Sequence, residues 1–369
     1  MEKYKMIKLA LYGCGNRTKQ LLDSLRADEF YCVHAVFDIN TEAAEELVKE
    51  YGGTVCKSKE ELISFPEVDA FLISLNPLYQ ATALKEVLPA RKPVFIEKPV
   101  AFTGKEAHEL AVMADEYNVP VQVGFMRRYL PESVALFDFL KNNDPGRLVA
   151  IECDWCHHGE GVEMYFKKHD PENFRLGMSQ IPFHCVHMLD IMLAVGGPIK
   201  RVTSQLLTGI SGTVTTSPDD LMSQMEYANG GNGRFHYTRL SYYGAMSYQF
   251  HFENYSIKMN TNDLEYQLQI FPRPRFMTSK TGPTPDKKET FLKYYNKNCK
   301  PMIFDFPSGN NIQTENIMYD FVRMVRDKVP PEANLHVAAR VQGLAEAMEL
   351  SGKLKKTIEL DEFGCPVVE

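Results

Sequence analysis

The chain has 369 residues, of which 44% are hydrophobic and 24% charged, and it carries a formal net charge of −7. That length suits two domains with sizeable cores, and an acidic balance with no basic block excludes a nucleic-acid footprint. No apolar run approaches the ~20 residues that span a bilayer, and no export leader opens the chain, so a cytoplasmic protein with a small-molecule partner is expected. Eight cysteines without regular spacing fit reduced core thiols rather than a disulfide framework.

The first third alternates strand-like and helix-like segments, the pattern of right-handed βαβ units around a parallel sheet. Strands are expected at Ile7 to Tyr12, Cys32 to Phe37, Ala70 to Ser74, Val94 to Ile96 and Val119 to Val123. Helices are expected at Arg17 to Arg26, Thr41 to Tyr51, Tyr79 to Leu88 and Thr103 to Tyr117, the second opened by a capping Thr or Asn. The first strand runs into Gly13-Cys14-Gly15-Asn16-Arg17-Thr18, a glycine turn where backbone can approach a pyrophosphate at a helix amino terminus. Gly13 and Gly15 fill two fingerprint positions, while Thr18 stands where a third small residue would let helix and strand pack closely. Taken alone the turn reads equally as a plain strand-to-helix connection. Asp38 ends the second strand about 20 residues on, where a carboxylate can accept hydrogen bonds from the adenosine ribose and would repel a 2′-phosphate. That favours NAD over NADP; the competing reading is an acid that initiates the next helix.

Phe95-Ile96-Glu97-Lys98-Pro99-Val100 places a lysine and a proline directly behind a buried strand. Pro99 ends the strand and holds Lys98 extended, and the carboxyl ends of parallel strands face the ligand crevice, so Lys98 is either an active-site lysine or part of a surface turn. A boundary is expected near Gly124, giving a first domain of residues 1–124 and a second of 125–369.

Beyond it, alternating polar and apolar runs at Leu148 to Trp155, Lys200 to Leu206, Leu221 to Tyr227, Gly233 to Leu240 and Tyr248 to Ile257 predict a large, mostly antiparallel sheet. Gly230-Gly231-Asn232-Gly233 predicts a hairpin turn. Phe276 to Lys300 reads as an exposed loop, and Glu315 to Val325 and Ala333 to Leu350 regain helical periodicity, so the second half is an α+β unit. Within it His184, His187 and Asp190 are spaced by threes before the helix stop Gly196-Gly197-Pro198. On a helix Asp190 could orient the His187 ring and make it a general base, and the competing reading is a pair of satisfied, half-buried histidines. No metal is expected, because the histidines are not four apart around a Glu and no further ligand cluster accompanies them.

Gly13-x-Gly15-x-Arg17, Glu97-Lys98-Pro99, Val123-Gly124-Phe125-Met126-Arg127-Arg128-Tyr129 and His187-x-x-Asp190, in that order, resemble the Gfo/Idh/MocA oxidoreductase family over essentially the whole chain. The resemblance implies a doubly wound Rossmann domain carrying NAD or NADP, and a second domain whose open sheet covers the nicotinamide and often serves in oligomers, here a homodimer or homotetramer. It implies hydride transfer between nicotinamide and a secondary alcohol of a sugar, cyclitol or related polyol. Lys98 then stabilises the alkoxide and His187 takes the hydroxyl proton. The cofactor side falls to Gly13, Gly15, Asn16, Arg17, Asp38, Asn76, Glu97 and Lys98, and the substrate side to Arg127, Tyr129, Trp155, His184 and Asp190. Two departures stand out: Phe183 occupies a position where many members carry a substrate-binding Asp, and Gln80 one where many carry a histidine. They leave room for two alternatives, a glycosidase working by transient oxidation with tightly held NAD, and a non-catalytic NAD-binding sensor.

Overall fold

The computed structural model describes residues 6–25, 27–158, 179–210, 217–261, 266–273, 301–306 and 312–368. The expected loop from Phe276 to Lys300 lies outside them. The first sheet contains β1 (Ile7–Tyr12), β2 (Tyr31–Phe37), β3 (Thr54–Val55), β4 (Ala70–Ile73), β5 (Val94–Ile96) and β6 (Val121–Val123). All are parallel, in the order β3-β2-β1-β4-β5-β6. β4, β5 and β6 are buried at every residue, as strands covered on both faces by helices must be. The helices are α1 (Asn16–Ser24), α2 (Ala27–Phe30), α3 (Thr41–Tyr51), α4 (Lys59–Ile63), α5 (Pro77–Val87) and α6 (Gly104–Tyr117). Side-chain caps fix several starts: Asn40 accepts from the N–H groups of Glu42 and Ala43, and Thr103 from that of Glu106. The strand order reverses between β1 and β4, which opens a ligand crevice at their carboxyl ends.

After α7 (Pro131–Asn142) the chain enters the second sheet through β7 (Leu148–His158). A π-helical turn, Ile181–Cys185, leads into α8 (Val186–Gly196), followed by β8 (Ile199–Leu207), β9 (Asp220–Tyr227), β10 (Asn232–Thr238), β11 (Leu240–Phe252), β12 (Tyr255–Thr261), β13 (Tyr266–Pro272) and β14 (Met302–Asp305). β15 (Ile358–Leu360) and β16 (Pro366–Val367) complete ten strands, antiparallel except where β7 pairs with β10. Gly230, at φ +86°, turns β9 into β10 as the glycine cluster predicts. The single run expected from Tyr248 to Ile257 is two strands. Burial switches from even positions (Tyr248, Phe250, Phe252) to odd ones (Ile257, Met259, Thr261) across the bend at Glu253-Asn254, where the chain reverses and β12 pairs antiparallel with β11.

Two carboxy-terminal helices bind the sheets together. In α9 (Ile312–Asp327), Ile317, Met318, Phe321 and Val322 join one core with Leu9, Leu11, Leu21 and Phe95 of the first sheet and its helices. α10 (Leu335–Leu354) lies between α6 and β8. Gly104 and Gly343 permit this close approach: a Cβ on Gly104 would lie 2.5 Å from the Gly343 Cα. The crevice at the carboxyl ends of β1, β4, β5 and β6 is thereby set against α8.

Candidate active site

The glycine turn fits a dinucleotide. Gly13 has φ +102°, and a Cβ on it would lie 2.2 Å from the Ser74 carbonyl oxygen, so only glycine fits. A Cβ on Gly15 would meet nothing within 4 Å, so the backbone there borders open space. Gly15 also caps α1 without a side-chain hydrogen bond, which leaves first-turn N–H groups for an anion. Thr18 is compatible with the tight packing because its buried hydroxyl donates to the Gly13 carbonyl at 2.8 Å. The Asp38 carboxylate accepts from the Cys14 N–H at 2.7 Å and the Asn40 N–H at 2.8 Å, which fixes it beside the turn with lone pairs to spare for hydroxyls. Asn40, not Asp38, caps the following helix. Asn16 is exposed at the head of α1, and the Asn76 side chain caps α5 through the Leu78 N–H.

Lys98 follows β5, and its neighbours are tied down. Glu97 is buried, with one carboxylate oxygen accepting from Arg17 Nε at 2.7 Å and the other from the Lys98 N–H at 3.2 Å. Gln80, fully buried, donates to the Glu97 carbonyl at 2.7 Å. Gly124 admits the carboxylate, since a Cβ there would sit 2.7 Å from Glu97 Oε2. Lys98 Nζ donates to the Phe183 carbonyl at 3.0 Å and lies 4.3 Å from the centre of the Phe183 ring. Burial lowers the Lys98 pKa to about 8, with Arg17 and Arg127 pushing the same way and Glu97 opposing them.

His187 sits in the first turn of α8, 8% exposed, with Nδ1 lacking a hydrogen-bond partner among the described residues. Burial first, then Lys98, Arg127, His184 and Arg17, hold its pKa well below the ordinary histidine value, so it is neutral at pH 7. His184 belongs to the π-helical turn, whose extra residue breaks the expected three-residue ladder, and its Nδ1 pairs with Gln180 Oε1 at 2.7 Å. Trp155 closes the far wall: it stacks on His157 at 4.6 Å, approaches Tyr237 at 5.3 Å and meets His184 edge-on at 6.0 Å. The side chain of Arg127, half-buried, forms no hydrogen bond or ion pair with any described residue, while its carbonyl accepts from the Leu130 N–H at 3.3 Å.

Two expected substrate contacts are engaged elsewhere. Asp190 is fully buried and takes both oxygens to Arg128, at 2.7 Å from Nε and 2.6 Å from the terminal nitrogen, so it does not orient His187. The pair instead fastens α8 to the turn after β6. Tyr129 donates its hydroxyl to Asp320 of α9 at 2.8 Å. Gln80 and Arg128, which the sequence left without roles, prove to be the buried supports of Lys98 and His187. Among the described residues no cluster of three or more His, Cys, Asp or Glu could hold a metal. A depression of about 740 Å³ lies elsewhere, beside Pro93 and Pro120 at the amino ends of β5 and β6.

Turn, lysine and histidine converge at one crevice, as in the Rossmann-fold oxidoreductases that bind NAD. Residues 7–125 match the model of an oxidoreductase family with an NAD-binding Rossmann fold, and residues 134–258 match the GFO/IDH/MocA C-terminal domain. The chain belongs to the GFO/IDH/MocA oxidoreductase family. It is 26% identical to glucose-6-phosphate 3-dehydrogenase of Bacillus subtilis over 187 residues, 51% of this chain and 53% of that one. It is 33% identical to inositol 2-dehydrogenase 2 of Mycolicibacterium vanbaalenii over 138 residues, 36% of this chain and 39% of that one. The chain thus spans about half or less of the length of these curated relatives. Levoglucosan dehydrogenase, solved with NADH and levoglucosan, shares the fold at TM-score 0.79, 16% identity and coverage of 97% and 100% of the two chains. The WlbA dehydrogenase from Bordetella pertussis, solved with NADH and UDP-GlcNAcA, does so at TM-score 0.76, 16% identity and 97% and 98% coverage.

Proposed function

We propose that this protein is an NAD-dependent dehydrogenase that oxidises a secondary alcohol of a sugar, cyclitol or related polyol. The observation that carries the reading is the pairing of a lysine whose pKa is lowered to about 8 with a neutral, buried histidine in one crevice beside the glycine turn. NAD would be held by the backbone at Gly13 and Gly15, by the first turn of α1 and by Asp38, whose charge disfavours a 2′-phosphate. When bound, it supplies the hydride acceptor.

The chain's own groups do the rest. Lys98 keeps one N–H on the Phe183 carbonyl, which aims the ammonium and leaves two donors for a substrate hydroxyl. His187 is unprotonated at neutral pH and accepts the hydroxyl proton as the C–H bond breaks. Negative charge then grows on the oxygen beside Lys98, whose ammonium lies 4.3 Å from the Phe183 ring, and there it stabilises that charge more than it would in bulk solvent. Trp155 offers its face to the C–H side of a sugar ring.

The test follows a label. With NAD and a polyol deuterated at the reacting carbon, the reduced cofactor is expected to carry deuterium, and Lys98→Met is expected to lower kcat about 10³-fold. Cleavage of aryl glycosides without net cofactor reduction would replace this reading with the transient-oxidation one.

A further inference from the structure

A cavity of about 380 Å³ lies where α7, the last turns of α8 and the start of α10 meet. Its apolar wall includes Phe137 of α7, Leu193 of α8 and Val337 of α10. Lys141 stands four residues after Phe137 and Arg340 three after Val337, so each cation shares a helix face with an apolar wall residue. Glu332, just before α10, and Arg128 complete the charged lining. Arg128 spends Nε and one terminal nitrogen on Asp190, which cancels its charge and leaves the other terminal nitrogen without a partner among the described residues. The side chains of Lys141 and Arg340 are exposed and form no hydrogen bond or ion pair with any described residue. Glu332 holds no cation either, and its charge acts on Arg128 from a distance. Two other acids lie near the cations in the chain without lining the cavity: Asp138 accepts from the Asn142 side chain, and Asp361 from the Phe363 and Cys365 N–H groups. Two unpaired cations against one unpaired acid leave the lining with a single net positive charge.

A cavity of this size suits a small molecule. An apolar wall beside a guanidinium and an ammonium suits a carboxylate that carries a hydrocarbon chain, because the chain covers the wall while the N–H groups take both oxygens. Glu332 opposes a second negative charge, which favours a monoanion over a phosphate dianion. We propose that this cavity is a second binding site, separate from the Lys98 crevice, for a small monocarboxylate with an apolar chain, its carboxylate held by Lys141 and Arg340 and its chain lying against Phe137, Leu193 and Val337. The ligand then touches α8 at Leu193 and borders Arg128, whose pair with Asp190 fastens that helix, so binding adds to the hold on the element that carries His187. The assignment uses neither the cofactor nor the reaction at Lys98, and it stands or falls apart from the dehydrogenase reading.

Calorimetry of the full chain with 4-methylpentanoate, its neutral amide, acetate and inorganic phosphate tests the site without turnover. The 4-methylpentanoate is expected to bind at least about tenfold more tightly than the amide, which lacks the charge, than acetate, which lacks the chain, and than phosphate. Both cations are exposed, and Arg340→Gln keeps the Cβ and Cγ against which Gly364 packs, so the double variant Lys141→Gln, Arg340→Gln is expected to fold as the parent does. It should lose about tenfold or more in affinity for the carboxylate. Hydrogen exchange places the ligand: the amides of α8 and of the first turns of α10 are expected to exchange more slowly when 4-methylpentanoate is bound. No heat of binding at about 10 mM, equal binding of the amide, or an affinity unchanged in the double variant overturns the assignment. Slowing confined to the segments around Lys98 and Arg127 puts the carboxylate in the crevice and overturns it as well.

Discussion

The cofactor turn and the Lys98 crevice are built by different means. Around the turn, several partners are close in sequence: Thr18 bonds Gly13 five residues away, Asn40 bonds Asp38 two away, and Cys14 bonds Asp38 24 away. In the crevice, Arg17 meets Glu97 across 80 residues, Lys98 meets Phe183 across 85, and Arg128 meets Asp190 across 62. A site of the first kind follows from local backbone chemistry, whereas one of the second kind depends on how α8 docks against the first sheet. The buried Arg128–Asp190 pair is the clasp for that docking.

Breaking the clasp should have the largest effect. Arg128→Met leaves a buried carboxylate uncompensated and is expected to cost about 3–5 kcal/mol in denaturant unfolding, with kcat falling because His187 shifts with α8. Full stability with only KM raised would return Asp190 to the substrate side and erase the contrast between the regions. Next come the two glycines of the turn. Gly13→Ala forces a left-handed residue against the Ser74 carbonyl and should cost at least about 2–3 kcal/mol. Gly15→Ala meets open space, so stability should hold within about 0.5 kcal/mol while NAD affinity, read by fluorescence titration, drops on the order of tenfold. Asp38→Ala should have the smallest effect, weakening NAD by about tenfold or less and narrowing its preference over NADP.

This division also explains what was legible in the sequence. β1 and β5 fall where their apolar runs place them, and of the Thr and Asn that could cap α3 it is Asn40 that does, because strand burial and helix capping are properties of neighbours. Lys98 and His187 stand out in the sequence through their flanking motifs, and the structure places both in the crevice. Asp190 and Tyr129 were misread because helical spacing says which residues share a face, not what that face meets: α8 turns Asp190 to Arg128, and Tyr129 finds Asp320 on a helix 191 residues away. The π-helical turn before His187 carries no periodic signature, since one residue added to a turn is set by tertiary packing.

The central claim is the division of labour in the crevice, with Lys98 acting as an ammonium and His187 as the proton acceptor. The dependence of kcat on pH for alcohol oxidation, measured from about pH 6 to 10, tests it most directly. The account predicts a plateau near neutrality, because His187 is already unprotonated there, and a fall as pH rises through the Lys98 pKa of about 8. An activity that instead climbs through that pKa, and loses the climb in Lys98→Met, would make Lys98 the base and contradict the account.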